Sequence, residues 1–310
     1  MAGPTTWIDL LDPSEAELRE HVPSELHPGA LQQMLRPASL EGAGRPTLQG
    51  HHDYVFGVVL VAVAVPEEDR LFYQEIDLVL TRNRLVTVRK TPPGEAPFDP
   101  EPVRATCERK GHTVPGMVVY HLVDDVAERY LDIVDALDDE IDELESHVDD
   151  WPNERTRARI SALRRDLLHL RRTLAPTREA VHGVMDGRVD LEGRALFARE
   201  VFPAEIEREF GTAHDKLLRA TEMLELARDL LAAARDYHQN KISVEQNDVT
   251  KRLAVIASLL LFPTFVVGVY GQNFEHMPEL GWRLGYAFSW AIVVVTTLLQ
   301  LAFFRWRRWI

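Results

Sequence analysis

Few residues of this 310-residue chain have the types and spacing for covalent chemistry. It has no Walker-type phosphate loop, and its histidines and single cysteine, Cys107, show no zinc-finger spacing. His51-His52 invites a metal reading, but adjacent residues on a strand point to opposite faces. The segment Tyr270-Gly271-Gln272-Asn273-Phe274-Glu275-His276-Met277-Pro278-Glu279-Leu280 is different, because it offers amide and carboxylate oxygens between the only two membrane-length apolar runs. That position makes it the mouth of something. A link this short cannot fold alone, so its work is expected to be done together with copies from neighbouring subunits.

The elements that hold the link come next. Leu253 to Tyr270 and Leu284 to Phe304 contain no charged residue. A hydrocarbon core of about 30 Å needs roughly 20 helical residues and at least about 17, so both runs can cross. Lys251 and Arg252 precede the first run and Arg305, Arg307 and Arg308 follow the second, whereas the link carries only Arg283. Both flanks therefore read as cytoplasmic, and Trp282, Tyr286, Trp306 and Trp309 fall near the expected interfaces. The reading is a multi-pass protein of the cell membrane (inner or plasma membrane) with both termini in the cytoplasm and the link outside.

Met1 to Leu10 contains Asp9 and lacks a basic stretch followed by an apolar one, so no cleavable signal is expected and the long N-terminal part stays inside. One cysteine excludes an intrachain disulfide framework and fits a reducing compartment. A formal net charge of -14 argues against nucleic acid as a partner and is compatible with divalent cations.

The first hundred residues alternate strand-like runs with turn clusters. Thr5 to Leu10 reads as a strand, Pro13 to Glu20 as a short helix, Tyr54 to Val65 as a strand, and Leu71 to Leu80 with Leu85 to Arg89 as a hairpin through Thr81-Arg82-Asn83-Arg84. Thr91 to Pro102, with prolines at 92, 93, 97, 100 and 102, reads as a surface linker.

Beyond Pro115 the period lengthens to that of a helix. Val119, Val123, Val126, Tyr130, Ile133, Leu137, Ile141, Leu144 and Val148 form one stripe; Asp149 to Asn153 breaks it; Ile160, Leu163, Leu167, Leu170 and Leu174 form another. The two helices are expected to pack as a hairpin, with the acidic end of the first arm ion-paired to the basic start of the second. After Pro203 comes the most regular seam, Leu217, Ala220, Leu224, Ala227, Leu231 and Ala234, with Met223, Leu226, Leu230, Ala233 and Tyr237 beside it. A helix with two apolar seams wants more than one neighbour. With no Gly or Pro between Gly211 and Pro263, it is expected to run on into the membrane as a stalk, on the order of 100 Å long from Glu205 to Tyr270.

Stepping by three and four from Asn247 gives Thr250, Ala254 beside Leu253, Ala257, Leu261, Thr264, Gly268 and Gly271, mostly small or polar, while Val255, Leu259, Phe262 and Val266 lie on other faces. Such a face either packs closely on another helix or lines water. Two spans enclose no channel, so a pore requires a ring of subunits related by cyclic symmetry.

The link at the end of the first of two C-terminal spans resembles the signature of CorA-type magnesium transporters, and the whole architecture is similar: cytosolic α/β domain, helical hairpin, stalk, two spans and basic tail. The resemblance implies an α+β cytosolic domain, a small mixed sheet flanked by helices, followed by a long stalk helix and two transmembrane helices in a funnel-shaped homopentameric channel. Its parts are expected at 1–114 (α/β domain), 115–202 (hairpin), 203–252 (stalk), 253–270 (pore-lining span), 271–283 (external loop), 284–304 (second span) and 305–310 (basic tail). It implies an ion-selecting ring at Gly271, Gln272 and Asn273, and cation-attracting Glu275 and Glu279. It also implies a pore lined by Asn247, Thr250, Leu253, Ala257, Leu261, Thr264 and Gly268, and a basic inner collar of Lys251 and Arg252.

By the same resemblance the protein is a channel and not an enzyme. It passes Mg²⁺, with Co²⁺ or Ni²⁺ also carried, and closes when cytosolic Mg²⁺ binds between subunits at residues the sequence does not nominate. Mg²⁺ sheds water reluctantly, so a ring of neutral carbonyl oxygens can hold the hydrated ion without trapping it. The departure is Gln272, where magnesium members typically carry Met; it leaves open a Zn²⁺ transporter of the ZntB kind, proton-coupled. A membrane-anchored scaffold that conducts nothing is the remaining alternative, and it gives no account of Asn247 or Asn273.

Overall fold

A computed structural model describes residues 6–40, 44–65, 70–189, 201–272 and 277–309, except the side chains of Glu279 and Leu280. The chain divides into two compact units, Met1–Arg235 and Asp236–Ile310.

In the first unit, strands β1 (Thr6–Leu11), β2 (Thr47–Gly50), β3 (Val55–Val65), β4 (Arg70–Leu80) and β5 (Arg84–Arg89) form one mixed sheet in the order β1-β5-β4-β3-β2. β1 runs parallel to β5 and the other pairs are antiparallel. β3 is an almost unbroken apolar run, the pattern of a strand covered on both faces. One face meets α1 (Glu15–His21) and α2 (Pro28–Leu35), burying Leu18 and Met34 on Phe56, Val79 and Val88. The other packs on α4 (Pro115–His147), where the Tyr130 hydroxyl reaches the Leu60 carbonyl at 3.4 Å. α3 (Glu101–Lys110) completes this side through Val103 and Cys107.

The helical stripes read from the sequence are the ones that are buried. All nine positions of the α4 stripe and all five of the second arm, on α5 (Asn153–Met185), lie in the core, and the chain turns back between the two helices. Arg159 pairs with Glu140 across that turn, and Arg155 lies 4.0 Å over the Trp151 ring. The first seam of α6 (Ala204–Tyr270) is buried from Leu217 to Ala234, and Lys216 ties α6 to Asp124 and Glu128 of α4 at 2.8 and 2.6 Å. Its second seam is only partly covered: Met223 and Leu230 pack against the core, whereas Leu226 is 58% exposed.

Three expectations change. The stretch expected as linker to Pro102 gives way to α3 at Glu101, because a proline in a first helical turn forfeits no internal hydrogen bond. α2 and β2 occupy a region given no element. His51 and His52 sit in the turn after β2, not on a strand, with His51 stacked on Tyr54 at 4.7 Å.

Between the sheet and α2 lies a buried charged cluster. Lys90 Nζ pairs with Glu75, sits 2.7 Å from Asp77 Oδ2, and donates to the Gln33 carbonyl at 2.6 Å. Gln33 Nε2 and the Gly44 backbone N–H donate to Glu75 at 2.8 and 3.2 Å. Two carboxylates share one ammonium. Burial, opposed by Lys90 and reinforced by Glu75, pushes the Asp77 carboxyl up to about 7.

Candidate functional site

The second unit contains the C-terminal part of α6, a 3₁₀ turn at Pro278–Gly281, and α7 (Gly285–Trp306). Both helices contain stretches long and apolar enough to cross a membrane, and only 11% and 6% of those stretches is buried within the chain, which separates them from core helices of a soluble domain. Their apolar surface faces outward.

On α6 the burial is one-sided. Val255 and Val266 are buried, Ser258, Leu259 and Phe262 are half-buried, and the Gln300 amide of α7 donates to the Ser258 carbonyl at 3.5 Å. At about 100° per residue these positions share one face, that of α7. Asn247, Thr250, Leu253, Ala257, Leu261, Thr264, Gly268 and Gly271 are all exposed; the same rotation puts Thr250 to Gly271 on the opposite face and Asn247 about a quarter turn from it, at the border with the α7 side. The structure thus brings the sequence-derived stripe from Thr250 to Gly271 together as one surface, exposed among the described residues.

That surface is chemically quiet. The Thr250 and Thr264 hydroxyls donate to the carbonyls of Gln246 and Leu260 at 2.9 and 2.7 Å, satisfying their protons within the helix while leaving oxygen lone pairs outward. A Cβ built on Gly268 would meet no atom within 4 Å, so its small size is not demanded by α7 or by its own helix. Asn247 is exposed at the polar end, at the edge of this face.

At the link, α6 closes through the Gly271 N–H, which donates to the Val267 carbonyl at 2.9 Å, and Gln272 follows, exposed. Asn273 and Glu275 lie outside the described residues; Glu279 falls in the 3₁₀ turn with its side chain likewise outside them. At the other end of the span Lys251 pairs with Asp248 at 3.0 Å and Arg252 is exposed.

Sequence reading passed over Gln300 and Ser258, although a glutamine inside a charge-free run was itself a signal. In lipid, where water cannot satisfy an amide, such a contact favours one rotational setting of the two helices.

Among the described residues no group of three or more His, Cys, Asp and Glu could hold a metal ion. One histidine pair is close: His112 Nδ1 and His121 Nε2 share a hydrogen bond of 2.8 Å, and burial, aided by Lys110 and His112, pushes His121 down to about 4. The two rings satisfy one another without a metal.

Comparison with known proteins agrees with this layout. A family model described as CorA-like Mg²⁺ transporter protein matches residues 3–308. A cobalt/magnesium transport protein CorA of Thermotoga maritima is 28% identical over 309 residues, covering 98% of this chain and 83% of the relative. Among solved structures, the complete CorA magnesium transporter of Methanocaldococcus jannaschii superposes with a TM-score of 0.76 at 19% identity, over 98% of this chain and 91% of that one. The ZntB cytoplasmic domain of Vibrio parahaemolyticus does so with a TM-score of 0.59 at 16% identity, over 78% and 89%.

Proposed function

Because this chain belongs to the CorA-like Mg²⁺ transporter family, and is accordingly a membrane transporter of divalent cations and not an enzyme, we propose that it is a Mg²⁺ channel formed by a homopentamer around the exposed stripe of α6. One observation carries the proposal: the small and polar residues of the first span gather on the face turned away from α7, exposed among the described residues. A scaffold helix has no use for such a face. A ring of copies gives it one, with Asn247, Thr250, Leu253, Ala257, Leu261, Thr264 and Gly268 lining the path and Leu253, 62% exposed, as its hydrophobic constriction.

Gly271, Gln272 and Asn273 form the outer selecting ring in this reading. Neutral amide oxygens suit an ion that keeps much of its water, since a carboxylate ring would bind harder and release more slowly. Glu275 and Glu279 concentrate cations above the ring, and Lys251 and Arg252 form a basic collar at the inner mouth. Both termini are cytoplasmic, in accord with the arginines that follow α7. Cytosolic Mg²⁺ binding between subunits closes the channel, and Co²⁺ passes as well; the name of the Thermotoga relative pairs the two metals.

Gln272 favours a second reading, Zn²⁺ transport driven by protons, because a second amide beside Asn273 changes how the ring holds water. The deciding experiment is flux of Mg²⁺, Co²⁺ and Zn²⁺ into proteoliposomes with and without a proton gradient. Mg²⁺ flux that ignores the gradient is expected. Zn²⁺ flux that requires the gradient would replace the channel reading.

A further inference from the structure

At the end of the second unit the chain makes a turn that holds one arginine in place. α7 closes with Arg308 at φ 55, the left-handed region normally left to glycine. The Trp309 N–H donates to the Phe304 carbonyl at 2.9 Å, the Arg308 N–H to that of Arg305 at 3.1 Å, and the Trp309 ring stacks on Phe304 with centroids 5.8 Å apart. Those two hydrogen bonds and the apolar contact make a Schellman closure, with arginine where glycine is the usual choice.

The turn walls a cleft of about 650 Å³ between the ends of the two helices. Arg308 and Trp309 stand on one side and Lys251 and Arg252 of α6 on the other, above Val255, Ile256 and Leu259. Lys251 is matched by Asp248 at 3.0 Å, whereas Arg252 and Arg308 have no acidic partner among the described residues. In a chain of net charge -14 this is a locally basic pocket. Asp248, Arg252, Val255, Ile256 and Leu259 recur at helical spacing on the α7 side of α6, away from the stripe. Arg252 therefore gives the proposed collar a side that reaches lipid. The apolar floor continues into exposed Leu260, which lies along the span.

We propose that this cleft binds the headgroup of one anionic phospholipid. The Arg252 and Arg308 guanidinium groups hold the phosphate through paired N–H donors, the Trp309 ring lies at the headgroup level, and an acyl chain descends over Ile256 and Leu259. The proposal rests on the reading that these helices span the membrane with this end at the anionic leaflet. It adds to the collar a lipid-facing side.

The test uses the full-length protein purified in neutral detergent, offered equimolar phosphatidylglycerol and phosphatidylcholine of the same chains, with retained lipid counted by native mass spectrometry. Wild type is expected to retain phosphatidylglycerol about tenfold better. Arg252→Gln combined with Arg308→Gly should reduce that preference to within about twofold, and the glycine relieves the backbone at φ 55 while removing only the side chain. Equal retention of both lipids by wild type, or an unchanged preference in the double variant, overturns the site. Displacement of the lipid by inorganic phosphate overturns the lipid as occupant. Cation flux in liposomes of phosphatidylcholine alone, measured in parallel, reports on transport separately, so failure there leaves the lipid result standing on its own.

Discussion

The unit Met1–Arg235 satisfies itself, and the unit Asp236–Ile310 does not. In the first, the stripes of α4 and α5 and the first seam of α6 have partners in the same chain, with the α6 face at Leu226 left open, and even the ammonium of Lys90 is enclosed by Glu75, Asp77 and the Gln33 carbonyl. In the second, the face bearing Thr250, Ala257, Thr264 and Gly268 is open, and arginines stand at the cleft without acidic partners among the described residues. A chain leaves apolar helices this bare only where something else covers them. For the transmembrane face that cover is lipid and, in the reading proposed above, other copies.

The contrast predicts that substitutions in the second unit damage transport without damaging the fold, and that substitutions in the first do the reverse. The largest effect is expected at the link. Asn273→Ala should abolish Mg²⁺ uptake while the purified protein still assembles. Near-normal flux through that variant would remove Asn273 from the selecting ring.

Next in size is the buried ammonium. Lys90→Met leaves Glu75 and Asp77 facing one another without a cation, and breaking a buried pair on one side costs about 3–5 kcal/mol. Thermal unfolding of the purified protein should show a loss of that order, and a wild-type unfolding temperature would mean that water or a rearranged Gln33 replaces the lysine.

Two glycines sharpen the comparison further. A Cβ on Gly116 would lie 2.5 Å from the Val201 carbonyl oxygen, a backbone atom that cannot swing aside, so Gly116→Val should destabilise by about 1–3 kcal/mol. Gly268→Val meets open space within the chain and should leave the unfolding temperature near wild type, yet bulk at a position expected to line the path should cut flux at least tenfold. Full flux through a folded Gly268→Val protein would take that face off the ion's route.

What was legible in the sequence follows the same division. The stripes of α4, α5 and α6 repeat over many turns, and a period that persists is hard to mistake, so the helical half of the first unit and the open face of α6 could both be read directly. α3 could not. It buries little beyond Val103 and Cys107, and its prolines read as a breaker although they stand at its first turn, where they are tolerated. β2 is four residues with one buried side chain, Leu48. The Lys90 cluster was invisible for another reason: Glu75, Asp77 and Lys90 meet only because β4 and β5 pair antiparallel, bringing Asp77 opposite Val88, and no local pattern announces that register. At the candidate site the small residues were legible, but the Gln300 to Ser258 contact joins two helices and required three dimensions.

The smallest expected effect follows from Asp77. Its carboxyl titrates near 7 in the folded protein because burial disfavours its charge, Lys90 offsets part of that, and Glu75 adds repulsion. In the unfolded chain it titrates near 3.9. Between those values the folded state holds a proton that the unfolded state has lost, so stability falls as pH rises from about 4 to about 7 and is then level with respect to this group. Asp77→Asn keeps the volume and removes the titration. Unfolding temperatures measured from pH 5 to 8 should decline less steeply for Asp77→Asn than for wild type, by a few degrees over the range. Cation flux of the variant should be unchanged, since the cluster serves the fold of its own unit. Parallel slopes for the two proteins would mean that Asp77 is ionised throughout, with Lys90 outweighing burial.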